Sequence, residues 1–110
     1  MKNEGVPYLH VDWKAIPEEI HRGESGFAKW KTFEQGNIRA RIVELSPGYL
    51  ADHWCARGHA LFILEGSIVS ELKDGSKREL TPGKGYVASD DPQNPHRSYS
   101  ENGAKMFIVD

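Results

Sequence analysis

From about Phe27 onward, apolar and polar residues alternate, and turn-forming residues interrupt this alternation at short intervals. Alternation with a period of two is typical of half-buried β-strands, and the breaks come too often for long helices. The pattern therefore predicts about eight short strands in an all-β sandwich or small barrel. The turns predicted to join the strands are Glu34-Gln35-Gly36-Asn37, Ser46-Pro47-Gly48, Glu65-Gly66, Asp74-Gly75, Thr81-Pro82-Gly83 and Glu101-Asn102-Gly103.

The chain length, 110 residues, suits one domain with a single hydrophobic core. We predict an N-terminal arm over residues 1–26 and a β-barrel domain over residues 27–110. Within the arm, Pro17-Glu18-Glu19 suits a helix start, so a short helix is expected near Trp13–Ile20. Its apolar residues could pack across a dimer; they are Tyr8, Leu9, Val11, Trp13 and Ile16.

Charge and cysteine content exclude several classes of partner. The net charge is −2, with acidic and basic residues interspersed, so the clustered positive field that binds nucleic acid is missing. No apolar stretch has the length of a signal peptide or a membrane span. The single cysteine, Cys55, cannot form an intrachain disulfide. We expect a cytoplasmic protein that binds neither nucleic acid nor membranes.

Four side chains that can bind metals form the most informative pattern. His53, Cys55 and His59 fall within seven residues and share one face if the segment is a strand. His96 comes much later, directly after Pro95, and an intervening hairpin could bring it to the same point. Imidazole and thiolate suit borderline and soft metals, whereas Mg²⁺ and Ca²⁺ prefer oxygen ligands.

These residue types also have simpler explanations. A histidine in a strand is often structural or exposed, and a buried cysteine behaves as a small apolar residue. By spacing alone, ligands and coincidence are therefore equally good explanations of the group. His10 and His21 lie outside it and are interpreted as structural. Arg41, Glu71 and Tyr86 are predicted to lie on solvated strand faces rather than against a substrate.

A family resemblance favours the ligand interpretation. The segment from Pro47-Gly48 to Gly66 resembles the first cupin motif, with His53 at the first histidine position, Cys55 at the second and His59 at the acidic position. Thr81-Pro82-Gly83 through Pro95-His96 resembles the second cupin motif. The chain is also similar to a small branch of single-domain bacterial cupins named for an Asp-His-Cys-Trp (DHCW) motif. The similarity is carried by Asp52–Cys55, Gly58-His59, Leu64-Glu65-Gly66, Glu71-Leu72, Asp74-Gly75, His96-Arg97-Ser98, Gly103-Ala104-Lys105 and Val109-Asp110.

The resemblance implies a cupin double-stranded β-helix, a small antiparallel β-barrel or jelly roll, and commonly a homodimer. It implies one divalent transition metal ion held by His53, Cys55, His59 and His96. Typical cupin sites use three histidines and a carboxylate. The cysteine and the extra histidine shift the expected metal toward Zn²⁺, Ni²⁺ or Fe²⁺. A thiolate ligand is itself oxidisable, so the family's oxygen chemistry does not carry over directly.

The cupin fold hosts many unrelated functions and does not fix a reaction. We expect a metal-dependent enzyme acting on a small polar molecule, with no catalytic residue or reaction assigned. Two alternatives stay open: a non-catalytic small-molecule or metal/redox-responsive binding protein, and a closed structural metal site. Four protein ligands suit the closed site, whereas a catalytic metal keeps one position free.

Overall fold

The computed structural model describes residues 2–110, which form two antiparallel β-sheets. The six-stranded sheet has the order β1-β2-β3-β10-β5-β8, and the four-stranded sheet has the order β4-β9-β6-β7. The all-β prediction is confirmed. The described residues form ten strands, whereas about eight were expected. The strands are β1 Glu19–Arg22, β2 Phe27–Gln35, β3 Ile38–Leu45, β4 Tyr49–Leu50, β5 His59–Gly66, β6 Ile68–Leu72, β7 Lys77–Leu80, β8 Gly85–Ala88, β9 His96–Ser100 and β10 Ala104–Val109.

Two predicted hairpin turns depend on glycines with positive φ. Gly36 (φ +57°) joins β2 to β3, and Gly75 (φ +97°) joins β6 to β7. Residues with a Cβ adopt this backbone region only with strain. Asn37, the next residue of the first turn, has a negative φ. Its backbone donates a hydrogen bond to the Glu4 carbonyl (3.1 Å), so the start of the chain lies against this turn.

The core lies between the two sheets and follows the alternation of β3, β5 and β10. Strand β10 pairs with both neighbours, so that Met106 lies opposite Val43 on one side and Ile63 on the other. Each fully buried aliphatic side chain stabilises the fold by about 1.5–3 kcal/mol. The buried apolar residues are Ala28, Val43, Leu45, Leu61, Ile63, Ile68, Leu80, Ala104, Met106 and Ile108.

The N-terminal region corrects one prediction. The helix expected near Trp13–Ile20 is wrong: a single 3₁₀ turn covers Trp13–Ala15, and Glu19–Arg22 form β1. Pairing with the free edge of β2 overrides the local helix signal, since β1 extends the six-stranded sheet. No helix of residues 2–110 is long and apolar enough to cross a membrane. The division into an arm and a barrel domain stays a prediction.

Candidate functional site

One end of the barrel interior opens into a cavity of about 330 Å³. Its floor is apolar, with Val43, Leu61 and Met106 facing inward. The inward positions become polar toward the open end of the same strands. On β3, Leu45 and Val43 are followed by Arg41, and on β5, Ile63 and Leu61 give way to His59. The polar residues at the cavity wall are Arg39, Arg41, His53, Cys55, Arg57, His59, Tyr86, His96, Arg97, Ser98 and Asp110.

Three aromatic rings form one side of this wall. His59 begins β5, Tyr86 lies on the neighbouring β8, and His96 begins β9 of the other sheet. His59 Nε2 is hydrogen-bonded to the Tyr86 hydroxyl at 2.7 Å. The His59 and His96 rings are nearly perpendicular, with centroids 4.9 Å apart. Among the described residues, His59 Nδ1 and His96 Nε2 are buried and have no hydrogen-bond partner.

Burial decides the protonation of these groups. It lowers the pKa of His59 to about 4, and the positive charges of His96 and Arg41 act in the same direction. Burial also lowers the pKa of His96 and raises the pKa of the Tyr86 hydroxyl. At neutral pH both imidazoles are therefore neutral and Tyr86 is protonated.

Cys55 is attached to the start of β9 by its backbone. Its N–H donates to the His96 carbonyl (2.7 Å), and the His96 N–H donates to the Cys55 carbonyl (2.9 Å). The thiol is free and lies 3.8 Å from the carbonyl oxygen of Arg57. This pairing explains how residues far apart in sequence reach one cavity. The segment around Cys55 is a loop with one isolated β-bridge, so the shared face of His53 and Cys55 does not come from a strand.

His53 occupies the exposed mouth of the cavity. Its side chain is 73% exposed, and Nδ1 is hydrogen-bonded to the Asp52 carboxylate at 2.6 Å. His53 and Cys55 line the same cavity as expected, while Trp54 lies apart from it. The Trp54 ring packs against the charged groups of Arg97 (4.4 Å) and Lys73 (4.6 Å).

All four predicted ligands thus line one cavity, but to different depths. His59 and His96 are in ring contact, Cys55 is paired with His96 through its backbone, and His53 is exposed. Within residues 2–110, no three or more His, Cys, Asp or Glu side chains are already arranged to hold a metal ion. The four-ligand site stays a prediction.

A cluster of arginines around Asp110 forms the other half of the wall. Arg39 grips both carboxylate oxygens, with Nε to Oδ1 at 2.9 Å and Nη2 to Oδ2 at 2.8 Å. Arg41 and Arg57 share Oδ2 at 3.4 and 3.3 Å, and His59 Nδ1 lies 3.7 Å from it. The Asp110 side chain is only 2% exposed. Burial raises the pKa of Asp110, but the arginines outweigh it and hold that pKa below the usual value.

Comparison with known proteins identifies the fold. No family model and no curated protein matches the chain. An RmlC-like cupin from Shewanella frigidimarina NCIMB 400 is 16% identical, with 96% of this chain and 92% of that chain covered and a TM-score of 0.69. A cupin-superfamily sugar phosphate isomerase from Silicibacter pomeroyi DSS-3 is 17% identical (92% and 74% covered, TM-score 0.69). Fe(II)-HppE with an alternative substrate is 14% identical (99% and 62% covered, TM-score 0.74). The chain has the cupin fold.

The cupin prediction is thereby confirmed at the level of fold, and the DHCW branch stays a prediction. Two residues of this cupin cavity contradict the expectation of solvated strand faces. Arg41 is only 5% exposed, and Tyr86 holds His59. Glu71 does not line the cavity, and its carboxylate binds Arg97 at 2.9 Å. Asp110 was not singled out as a site residue at all. Arg41 lies two residues from the apolar Val43 on one strand, and this alternation is the sequence signal that could have shown that Arg41 points inward.

Proposed function

We propose that this protein is a metal-dependent cupin that acts on a small polar molecule, with one Zn²⁺, Ni²⁺ or Fe²⁺ ion at the cavity wall. One observation carries the proposal. Two buried imidazole nitrogens, His59 Nδ1 and His96 Nε2, lack a partner among residues 2–110, in a cavity also lined by Cys55 and His53. An unsatisfied buried polar atom costs about 1–3 kcal/mol. A metal ion would satisfy both nitrogens at once.

The geometry of the two rings fits this assignment. Two imidazoles bound to one ion at about 2.0–2.1 Å have ring centres about 5 Å apart. The centroids of His59 and His96 are 4.9 Å apart. Because His59 Nε2 is engaged with Tyr86, Nδ1 is the nitrogen left for the ion. Nε2–H would then donate to the Tyr86 oxygen, an arrangement that orients metal-binding histidines.

Cys55 and His53 differ in how readily they complete the set. Cys55 is half-buried, and its backbone is paired with that of His96, which keeps its thiol on the same part of the cavity wall as the two rings. His53 is exposed and bound to Asp52, so it would have to turn inward. A closed structural site needs four protein ligands. The exposure of His53 therefore favours an ion held by the other three residues, with a position left for a ligand.

The remaining residues suggest how the site would work. When bound, the metal would supply a Lewis acid to the small molecule. Tyr86 would orient His59, and the apolar floor around Leu61 and Met106 would exclude water from one side of the ligand. Fe(II)-HppE is a neighbour of the same fold that contains iron, which supports a transition metal here. The fold itself does not select a reaction.

Metal content of purified protein tests the proposal. Wild type, His96→Ala and His10→Ala would be produced in medium containing zinc, nickel and iron, then compared by elemental analysis. His10 is an exposed histidine outside the cavity and serves as the matched control. We expect one ion per chain in wild type and His10→Ala, and at least about tenfold less in His96→Ala. Equal metal in all three variants, or metal in none, would contradict the proposal.

The non-catalytic alternative differs in turnover rather than in metal content. Small-molecule binding by the metal-loaded protein without chemical change of the molecule would favour a binding or metal/redox-responsive role. Cys55 supports such a role because it is a free thiol on the cavity wall. Hydrogen peroxide, which oxidises a thiol to the sulfenic acid and is itself reduced to water, would then release the metal, and Cys55→Ser would show no such response.

We also propose that two copies form a homodimer through the outer face of the six-stranded sheet. This face exposes Phe62 (48%), Leu64 (41%) and Val87 (86%) on neighbouring strands. Exposed apolar patches of this kind mark contact surfaces. Light scattering after size exclusion should give the dimer mass for wild type and the monomer mass for Val87→Glu. A monomeric wild type would reject this arrangement.

A further inference from the structure

We propose that the cavity binds the anionic group of a small molecule, a carboxylate or a phosphate, through Arg41 and Arg57. The inference deepens the proposed function, on which it rests for the choice of this cavity as the ligand site. It names the chemical class of the ligand, namely a small organic acid or phosphate ester.

The charge balance of the wall is the first argument. The described residues around the cavity include four arginines, Arg39, Arg41, Arg57 and Arg97, but a single acidic residue, Asp110. The charge of Arg97 is balanced by the carboxylate of Glu71, which lies outside the cavity at 2.9 Å. Arg39 takes both oxygens of Asp110, which leaves Arg41 and Arg57 to share one oxygen at longer distances. The arginine side chains of the wall therefore carry more positive charge than the Asp110 side chain balances.

Arg41 itself provides the second argument. It is 5% exposed, and its Nε has no hydrogen-bond partner within the described part of the chain. Burying a charged donor without a partner is costly, and burial together with the charge of Arg39 lowers the pKa of Arg41. The Trp30 ring packs against the Arg41 guanidinium at 4.6 Å and limits its movement. A buried, oriented and incompletely paired guanidinium is what recognition of carboxylate or phosphate requires.

The position of the arginines and the volume of the cavity limit further which molecules can bind. Asp110 Oδ2, which receives Arg41 and Arg57, is also 3.7 Å from His59 Nδ1. An anionic group at these arginines would therefore hold the rest of the molecule close to the His59 and His96 rings. The cavity, about 330 Å³, is at the small end of the usual range for ligand pockets, about 300–1,000 Å³. A small molecule with one anionic group satisfies both conditions, since it fits the volume and can reach from the arginines to the two histidines.

Calorimetric titration of metal-stripped protein tests the inference with two probes, inorganic phosphate and succinate, at constant ionic strength. Arg57→Met is the first variant, because the Arg57 side chain is 56% exposed and its loss should not disturb folding. Arg41→Lys keeps the charge but removes the guanidinium fork. Arg22→Met removes an exposed arginine outside the cavity and is the matched control.

We expect saturable binding of at least one probe to wild type and Arg22→Met, weakened about tenfold or more in Arg57→Met and Arg41→Lys. The probe that binds identifies the anionic group. No saturable binding of either probe, or equal binding by all four proteins, would overturn the inference. His96→Ala separates the two proposals, since it should lose the metal and keep the anion. Metal retention by wild type without anion binding would reject this inference alone.

Discussion

The two ends of the barrel interior are built on the same three strands, β3, β5 and β10, yet they differ in almost every physical property. At the closed end, the inward side chains are apolar and at most 9% exposed. At the open end, the same alternation brings charged and hydrogen-bonding groups inward, with unpartnered nitrogens on Arg41, His59 and His96 among residues 2–110. The open-end residues on or beside these strands are Arg39, Arg41, His59 and Asp110.

This difference separates stability from function within one fold. Burial of apolar groups stabilises the closed end, whereas buried charges at the open end cost free energy unless they are paired. A chain keeps such costly groups together when they serve a site, and the rest of the structure compensates for them. Substitutions at the two ends should therefore affect different measurements.

The largest loss of stability is expected at the closed end. Ile63 is fully buried at 0% exposure, so Ile63→Ala should lower the free energy of unfolding by about 2–5 kcal/mol. Urea denaturation measures this loss, and Ile20→Ala, at an isoleucine that is 57% exposed, is the control, with a change within about 0.5 kcal/mol. A loss below about 1 kcal/mol for Ile63→Ala would show that this end does not carry the fold.

A smaller loss is expected where charges meet at the open end. Asp110→Asn removes the carboxylate shared by Arg39, Arg41 and Arg57, and should lower the free energy of unfolding by about 1–3 kcal/mol. Added phosphate should restore part of this loss by taking the place of the carboxylate.

The control for Asp110→Asn is Glu44→Gln, at an exposed carboxylate 3.8 Å from Lys105. It should cost less than about 1 kcal/mol. Equal losses in the two variants would contradict the account of the arginine cluster. So would a greater stability of Asp110→Asn than of wild type.

Tyr86→Phe should separate metal affinity from stability. The substitution removes the hydrogen bond to His59 while keeping the ring, so the stability loss should be about 0.5–1.5 kcal/mol. Metal affinity, measured by competition with a chelator, should fall about 10–100-fold because His59 loses its orienting partner. Tyr8→Phe, at a 91% exposed tyrosine, should change neither quantity. Unchanged metal affinity in Tyr86→Phe would remove Tyr86 from the site.

The smallest effect is expected at His53. Because its side chain is 73% exposed, His53→Ala should change the free energy of unfolding by less than about 0.5 kcal/mol. Metal retention should fall less than in His96→Ala. If His53→Ala loses as much metal as His96→Ala, the exposed histidine turns inward and the site is closed by four protein ligands.

The fold could be predicted from sequence because its signals are local. The turn at Asp74-Gly75 and the alternation along Lys105 to Val109 each specify a hairpin or strand without reference to distant residues. The helix expected near Trp13–Ile20 was mispredicted because β1 depends on the free edge of β2, which is a tertiary contact.

The candidate site was predictable only in part. The chemistry and spacing of the side chains were enough to pick out four residues that line one cavity, namely His53, Cys55, His59 and His96. The alternation along the sequence does not tell which of them is buried. The arginine cluster depends on the register between β3 and β10. This register pairs Arg41 with Ile108 and so brings Asp110, two residues further on, close to the arginines. That register is set by the long-range pairing of the sheet and has no local signature.

The most direct test of the central claim, a transition metal at the open end of the barrel, is X-ray absorption spectroscopy of the purified wild-type protein. For zinc, the account predicts imidazole nitrogens at about 2.0–2.1 Å and one sulfur at about 2.3 Å, from His59, His96 and Cys55. His96→Ala should lose an imidazole contribution from this spectrum. A protein without metal, or an ion surrounded by oxygen ligands alone, would contradict the claim.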